Sequence, residues 1–241
     1  MQQLVNAAID FGNTYAKLGF FTGTEMTEFY HGLRIEKVRV LLNKKAPTNL
    51  IIASVTKSPA DLEKLFVKFS KKIILGSGTP LPIKNDYATP ETLGYDRLAA
   101  AVGANVRFPD QPVLIIDMGT AIKYDFITAG GLFKGGIISP GMKMRFKALH
   151  TFTKKLPLLE PDGIPLLVGD STASCIRSGV INGIIAEVNG IIERYNQYPD
   201  LQVVLCGGDA PFFESQIKYP KFAASNLVLE GLNRILLYNV E

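Results

Sequence analysis

Apolar residues along this chain fall into three patterns. Short uninterrupted runs, Ala7-Ala8-Ile9, Leu50-Ile51-Ile52-Ala53 and Val113-Leu114-Ile115-Ile116, are expected of strands covered on both faces. Strict alternation follows two of them. Ala16, Leu18 and Phe20 alternate with Lys17 and Gly19, and Ile122, Tyr124 and Phe126 alternate with Ala121, Lys123 and Asp125, which predicts the second strand of a hairpin. Helical spacing marks 34–43 (Ile35, Val38, Leu42), a segment opened by Pro59 (Leu62, Leu65, Phe66, Phe69), the Ala-rich stretch after Leu93, 142–150, and 227–237. A longer helix, capped by Asp170 or Ser171, carries Ile176, Val180, Ile184, Val188, Ile191 and Tyr195. With further strands at 26–30 and 73–75, the first part reads β-β-β-α-β-α-β, a mixed five-stranded sheet with helices against it. Another strand is predicted at 201–205.

The two buried runs that lead into alternating strands end alike. Ile9-Asp10-Phe11-Gly12-Asn13-Thr14 and Ile116-Asp117-Met118-Gly119-Thr120 each place a carboxylate at a strand end. A glycine that admits a ligand to the backbone and then a hydroxyl come next. That combination makes a small oxygen-lined pocket in the bend of a hairpin. Its repetition predicts two related α/β halves facing each other across a cleft. The break Phe108-Pro109-Asp110-Gln111-Pro112 divides them into 1–112 and 113–241.

Bulk properties narrow the class. The 241 residues suffice for two domains, and 47% hydrophobic with 20% charged residues is the balance of a soluble globular protein. The net charge of +4 is scattered, without the dense basic stripe of a nucleic-acid face. No basic leader precedes an apolar core at the amino end, and no uninterrupted apolar run approaches the ~18 residues of a membrane span. Cys175 and Cys206 are too few for a metal cage or disulfide framework, so a reduced, cytoplasmic setting is expected.

Several motifs admit two readings. The Pro-, Gly- and Thr-rich segment 76–93 reads as a long surface connection, and ordered loops of that length tend to be functional. It leads into Gly94-Tyr95-Asp96-Arg97, at the first turn of the Ala-rich helix. There Asp96 is either a terminal charge that suits the helix dipole or a carboxylate held at the cleft mouth. Gly207-Gly208, at a strand end, fits a flat ring such as adenine or a plain turn. Gly179, Gly183 and Gly190 are poor helix formers, tolerable where another helix packs closely, and a second copy of the chain would supply one.

Taken in order, Asp10-Phe11-Gly12-Asn13-Thr14, Gly94-Tyr95-Asp96-Arg97, Asp117-Met118-Gly119-Thr120, Gly136-Ile137-Ile138-Ser139-Pro140-Gly141 and Gly169-Asp170-Ser171-Thr172 resemble the type III pantothenate kinases over nearly the whole chain. The resemblance implies two tandem ribonuclease-H-like domains of the actin and sugar-kinase superfamily. It implies ATP-dependent phosphorylation of pantothenate to 4′-phosphopantothenate, the first step of coenzyme A biosynthesis, by a homodimer using magnesium and a monovalent cation, potassium or ammonium. Carried over residue by residue, Asp10, Gly12, Asn13, Thr14 and Lys17 cradle the ATP phosphates, with Asp10 facing the magnesium, and Thr120 contacts ATP. Asp96 matches the proton acceptor. Tyr87, Gly94, Tyr95, Arg97 and Thr172 match pantothenate contacts, and Asp117 matches the monovalent-cation ligand.

Phosphoryl transfer asks the protein chiefly to position reactants and neutralise spreading charge. A hydroxyl nucleophile also needs a carboxylate within hydrogen-bond reach. Asp96 is the best candidate, since Asp10 and Asp117 are committed to cations. Arg97 suits either the substrate carboxylate or a structural ion pair. One departure stands out: where the family usually has two threonines after Gly-Thr-Ala, this chain has Ile122 and Lys123. Lys123 either pairs with Asp125 on the surface or brings its ammonium to the Asp117 pocket and weakens the need for potassium. The alternatives to the kinase are a non-catalytic regulatory relative and a phosphotransferase of the same superfold acting on another small alcohol.

Overall fold

Strand β1 (Val5–Phe11) runs antiparallel to β2 (Ala16–Thr22), which runs antiparallel to β3 (Glu25–Leu33). On its other side β1 is parallel to β4 (Asn49–Ser54), itself parallel to β5 (Lys72–Ile74). The resulting order is β3-β2-β1-β4-β5. A strand in the middle of such a sheet is covered on both faces, which is why β1 reads as continuous apolar sequence; Ala7, Ala8 and Ile9 are fully buried. Helix α1 (Ile35–Lys45) contributes Val38, Leu41 and Leu42 to the core formed with Phe20, Ile52 and Phe66. Helix α2 (Pro59–Leu65) begins at Ser58, whose hydroxyl accepts the Asp61 N–H at 3.2 Å. This is a computed structural model, and it describes residues 4–12, 15–69 and 71–240.

The segment after β5 is an ordered connection. Its Lys84–Asn85 (β6) pairs in parallel with Leu132 and Phe133, and its Ile83 and Leu93 are buried. It delivers the chain to α3 (Tyr95–Arg107).

The second sheet repeats the plan of the first. β7 (Val113–Met118) is followed by β8 (Ala121–Ile127) and β9 (Leu132–Pro140), then α4 (Met142–Thr151) and the 24-residue α5 (Thr172–Tyr195). β10 (Gln202–Cys206), the short α6 (Ala210–Phe213) and β11 (Phe222–Ala223) follow. The strand order is β6-β9-β8-β7-β10-β11, with β7, β10 and β11 parallel, and apart from the added edge strand β6 it matches the first sheet strand for strand. The match extends to register, with Asp10 opposite Ala53 on β4 and Asp117 opposite Cys206 on β10. The duplication seen in the two Asp-Gly motifs is thus a duplication of topology.

Packing divides the chain into two compact units that are not consecutive. One comprises Met1–Asp110, Ile127–Lys134 and Asn226–Glu241; the other comprises Gln111–Phe126 and Gly135–Ser225. The last helix, α7 (Leu227–Val240), therefore belongs with β1–β6 and lies against α3. Two glycines let these helices approach closely: a Cβ on Gly231 would lie 1.8 Å from the Ala99 carbonyl oxygen, and one on Gly103 2.5 Å from that of Leu227. Arg107 clamps the pair by donating to both carboxylate oxygens of Glu230, at 2.8 and 2.7 Å.

In the other unit, α5 starts from Ser171 through a capping box with Ser174 and lays Ile176, Val180, Ile184, Val188 and Ile192 into the core beside Leu114, Ile116 and Tyr124. Among the described residues α5 is the one helix with the length and apolar content of a membrane span. Its buried stripe is what the core helix of a folded unit requires.

Candidate active site

The first loop grows out of the β1–β2 hairpin. Asp10, on the last turn-ward stretch of β1, is 9% exposed, and Lys17 is its partner across the ladder. The Gly12 N–H donates to the Tyr15 carbonyl at 3.2 Å, closing the bend. Asn13 and Thr14 lie outside the described residues. A cavity of about 340 Å³ opens beside the loop, with Gly12, Tyr15, Arg34, Thr56 and Lys57 in its wall. Arg34 and Lys57 bring two cations to this wall and Glu36 one carboxylate, a balance that suits an anionic group.

In the same unit, Gly94 precedes α3 with extended backbone, and Asp96 and Arg97 occupy the first turn. A Cβ on Gly94 would meet Asp96 Oδ1 at 2.5 Å, so the glycine leaves room for that carboxylate to fold back over the helix start. Arg97 is 6% exposed. Its guanidinium carbon sits 5.3 Å from the Tyr87 ring centre and 5.9 Å from that of Phe133, and its Nη1 is 3.5 Å from the Tyr87 hydroxyl. Four predicted pantothenate contacts, Tyr87, Gly94, Tyr95 and Arg97, thus gather around Asp96 at one helix start. Tyr87 arrives from the Pro- and Gly-rich connection and Phe133 from β9. Thr172, the fifth, is an exposed residue at the start of α5 in the other unit.

The second loop is shorter than the first, with two residues, Gly119 and Thr120, between β7 and β8. The Gly119 N–H donates to the Ala121 carbonyl at 3.2 Å, and the exposed Thr120 accepts the Gly141 N–H at 3.1 Å through its own carbonyl. Gly141 must be glycine, because a Cβ there would lie 2.2 Å from the Gly119 carbonyl oxygen. Lys123 reaches back from β8 to β7, with its Nζ 2.6 Å from Asp117 Oδ2 and both side chains about one-fifth exposed (19% and 20%). Gly207 (φ +92°) closes on the other oxygen, where a Cβ would lie 2.5 Å from Asp117 Oδ1. Only a residue free of a side chain holds that left-handed conformation so close to the carboxylate.

Asp209, two residues after Gly207, donates its backbone N–H to the Met118 carbonyl at 2.9 Å. Its carboxyl is pushed above the usual range by burial; Lys143 pulls it back and the charge of Asp117 adds to the rise. Sequence reasoning passed over Asp209 because the preceding Gly-Gly drew attention to backbone approach; the acid directly after them was the available signal.

Behind the loop, Glu187 of α5 ties the Gly136–Gly141 motif in place. It accepts from the Tyr124 hydroxyl at 2.7 Å, from Ser139 at 3.1 Å and from Arg145, which also donates to the Pro140 carbonyl at 2.8 Å. Burial works against an ionised Glu187, but the hydrogen bonds from Arg145, Tyr124 and Ser139 outweigh it and hold the carboxyl below its ordinary range. No spacing in the sequence marks this cluster.

The cations implied by the resemblance fare differently against these residues. Magnesium commonly takes one or two carboxylates together with substrate phosphates. Asp10, at the end of β1 next to the first bend, is a single carboxylate of that kind, and among the described residues no three His, Cys, Asp or Glu side chains form a metal-holding group of their own. A potassium ion at Asp117 does not fit. The ammonium of Lys123 already lies on Oδ2 and neutralises the carboxylate, so its repulsion cancels most of the attraction that a bare Asp117 would offer a second cation.

Residues 7–194 match the family model of the type III pantothenate kinases. A protein named type III pantothenate kinase in Cytophaga hutchinsonii is 44% identical over 237 residues, covering 98% of this chain and 100% of that protein. One of the same name in Phocaeicola vulgatus is 44% identical over 239 residues, covering 98% and 99%. Among solved structures, component A of the (R)-2-hydroxyglutaryl-CoA dehydratase of Acidaminococcus fermentans has a TM-score of 0.56 at 15% identity, over 98% of this chain and 97% of that one. A glucokinase from an Antarctic psychrotroph has 0.52 at 10% identity, over 98% and 99%. At such identities the structural likeness is one of fold alone.

Proposed function

This chain belongs to the type III pantothenate kinase family, and we propose that it transfers the γ-phosphoryl group of ATP to the 4′-hydroxyl of pantothenate with Asp96 as the general base. The product is 4′-phosphopantothenate, made in the first step of coenzyme A biosynthesis. Asp96 takes the hydroxyl proton as the oxygen forms its bond to the γ-phosphorus. The bond from that phosphorus to the β,γ-bridging oxygen breaks, and ADP leaves with the electron pair. The observation that supports this reading best is the cluster at the start of α3: a carboxylate accommodated by Gly94, flanked by a buried arginine stacked on Tyr87.

The remaining roles follow from the same reading. Gly12, Asn13, Thr14 and Lys17 position the ATP phosphates, and Thr120 contacts the nucleotide. Tyr87, Gly94 and Tyr95 shape the pantothenate site, Arg97 faces the substrate carboxylate, and Thr172 keeps the pantothenate-contact role that the resemblance implies. Asp10 would hold magnesium, which would supply neutralisation of the charge that spreads over the transferring group.

The proposed partners are ATP, pantothenate and a second copy of the chain, without nucleic acid or membrane, and the proposed setting is the cytoplasm. Support for the second copy comes from α5. Ser178 donates to the Leu167 carbonyl at 2.6 Å and Asn182 to those of Pro165 and Leu166 at 3.4 Å, which leaves Leu166, Leu167 and Val168 exposed. Among the described residues, nothing beyond the helix's own neighbouring backbone lies within 4 Å of a Cβ placed on Gly179 or Gly190. Exposed apolar residues beside an open glycine face suit a close helix neighbour.

The test is purified protein with ATP, magnesium and pantothenate, with products read by mass. Phosphopantothenate and ADP in equal amounts are expected. No product from pantothenate, with turnover of another small alcohol, would overturn the substrate assignment.

A further inference from the structure

We propose that the Lys123 ammonium stands permanently where a monovalent cation would otherwise sit at Asp117, so that this enzyme works without potassium or ammonium. The inference rests on the kinase reading for its activity readout, and on the geometry of the second loop for everything else.

Asp117 ends a buried strand, and its two oxygens are enclosed by different parts of the chain. Oδ2 receives the Lys123 Nζ at 2.6 Å, and the Gly207 backbone lies against Oδ1. β7 and β8 are joined by a two-residue bend, and Lys123 is the third residue of β8. Its stem therefore springs from a strand hydrogen-bonded to the one that carries Asp117. An alkylammonium carries the same single charge as potassium or ammonium and, like ammonium, donates N–H bonds. Tethered to the sheet, it meets Asp117 without a loss of translational freedom. It therefore neutralises the carboxylate beside the proposed nucleotide contact Thr120, which is what the free ion would do. The partial enclosure of both side chains marks the pair off from a solvated surface bridge.

The experiment compares the natural protein with Lys123→Thr and Lys123→Met, the second of which keeps an unbranched stem without charge. Phosphopantothenate formation is measured at equal ionic strength in sodium, potassium and ammonium salts. Separately, thermal unfolding without substrates is followed in sodium, potassium and thallous salts. The natural protein is expected to turn over equally in all three salts, with a melting temperature indifferent to the choice of cation. The variants are expected to lose about 10²-fold in sodium, as on removal of one preorganised electrostatic partner, and to recover in potassium or ammonium. They also gain melting temperature with potassium or thallous ion, because a ligand of the folded state stabilises it.

Strict potassium dependence of the natural protein, or potassium-specific stabilisation of it, would overturn the proposal, as would variants that potassium fails to rescue. If the variants do not fold, the natural protein's two measurements still decide. If no phosphopantothenate forms in any salt, the kinase reading fails instead, and the melting series alone judges whether Lys123 holds the cation's place.

Discussion

The guanidinium carbon of Arg97 lies 5.3 Å from the centre of the Tyr87 ring and 5.9 Å from that of Phe133. Such stacking uses the flat, delocalised cation of arginine, which lysine cannot reproduce. Arg97→Lys therefore keeps the charge and loses the plane and the two-pronged donor. If Arg97 binds the pantothenate carboxylate, KM for pantothenate rises about 10-fold or more, the equivalent of one charge-assisted hydrogen bond, while kcat falls much less. A lower melting temperature with an unchanged KM would make Arg97 purely structural.

Helix α3, which carries Asp96, depends on its close approach to α7. Gly231→Ala puts a methyl group 1.8 Å from the Ala99 carbonyl, so the helices must separate. Overpacking of that kind is expected to cost on the order of 3 kcal/mol, read as a lower urea midpoint. Gly190→Ala is the contrasting case, since among the described residues nothing beyond the local helix backbone meets its Cβ. It should raise the intrinsic stability of α5 by about 0.8–1 kcal/mol and yet weaken the proposed dimer, seen by sedimentation as more monomer. A dimer left as tight as before would remove the glycine face of α5 from the interface.

The Glu187–Tyr124 hydrogen bond makes stability fall off on both sides of neutrality. The Glu187 carboxyl is depressed in the folded state, so its contribution is present above the ordinary carboxylate range and disappears as pH falls through its folded pKa. The Tyr124 phenol is raised, by burial first and then by Glu187. Its contribution is present below the ordinary phenol value of 10.0 and disappears as pH climbs beyond its raised pKa. Glu187→Gln should flatten the acid limb of melting temperature against pH, and Tyr124→Phe the alkaline limb. Unaltered limbs in both variants would show that other groups set the profile.

The parts legible in the sequence were those set by local pattern. Uninterrupted apolar runs marked β1, β4 and β7 because central strands are covered twice, and alternation marked β2 and β8. The repeated Asp-Gly ending exposed the duplication because in each sheet it ends a central strand, at Asp10 on β1 and at Asp117 on β7. Lys123 was legible as a departure, and strand alternation offered Asp125 as its partner. The structure adds the reach back across the bend to Asp117, which depends on strand twist and stem length and not on face alone.

Contacts between distant parts of the chain left no such trace. Arg107 meets Glu230 at a separation of 123 residues, and Tyr124 meets Glu187 at 63. β6 is two residues long and is made by backbone pairing with β9, for which side-chain pattern carries no signal. The periodicity of α7 showed a helix but not that it packs on α3, since a stripe of leucines does not name the face that covers it.

The measurement that bears most directly on the proposed mechanism is turnover of Asp96→Asn with saturating ATP, magnesium and pantothenate. Melting temperature and nucleotide affinity are determined on the same preparation. With Asp96 as the base, the rate of phosphopantothenate formation falls by about 10²–10⁴-fold while melting temperature and ATP affinity hold. A folded Asp96→Asn enzyme that turns over at near the natural rate would contradict the mechanism.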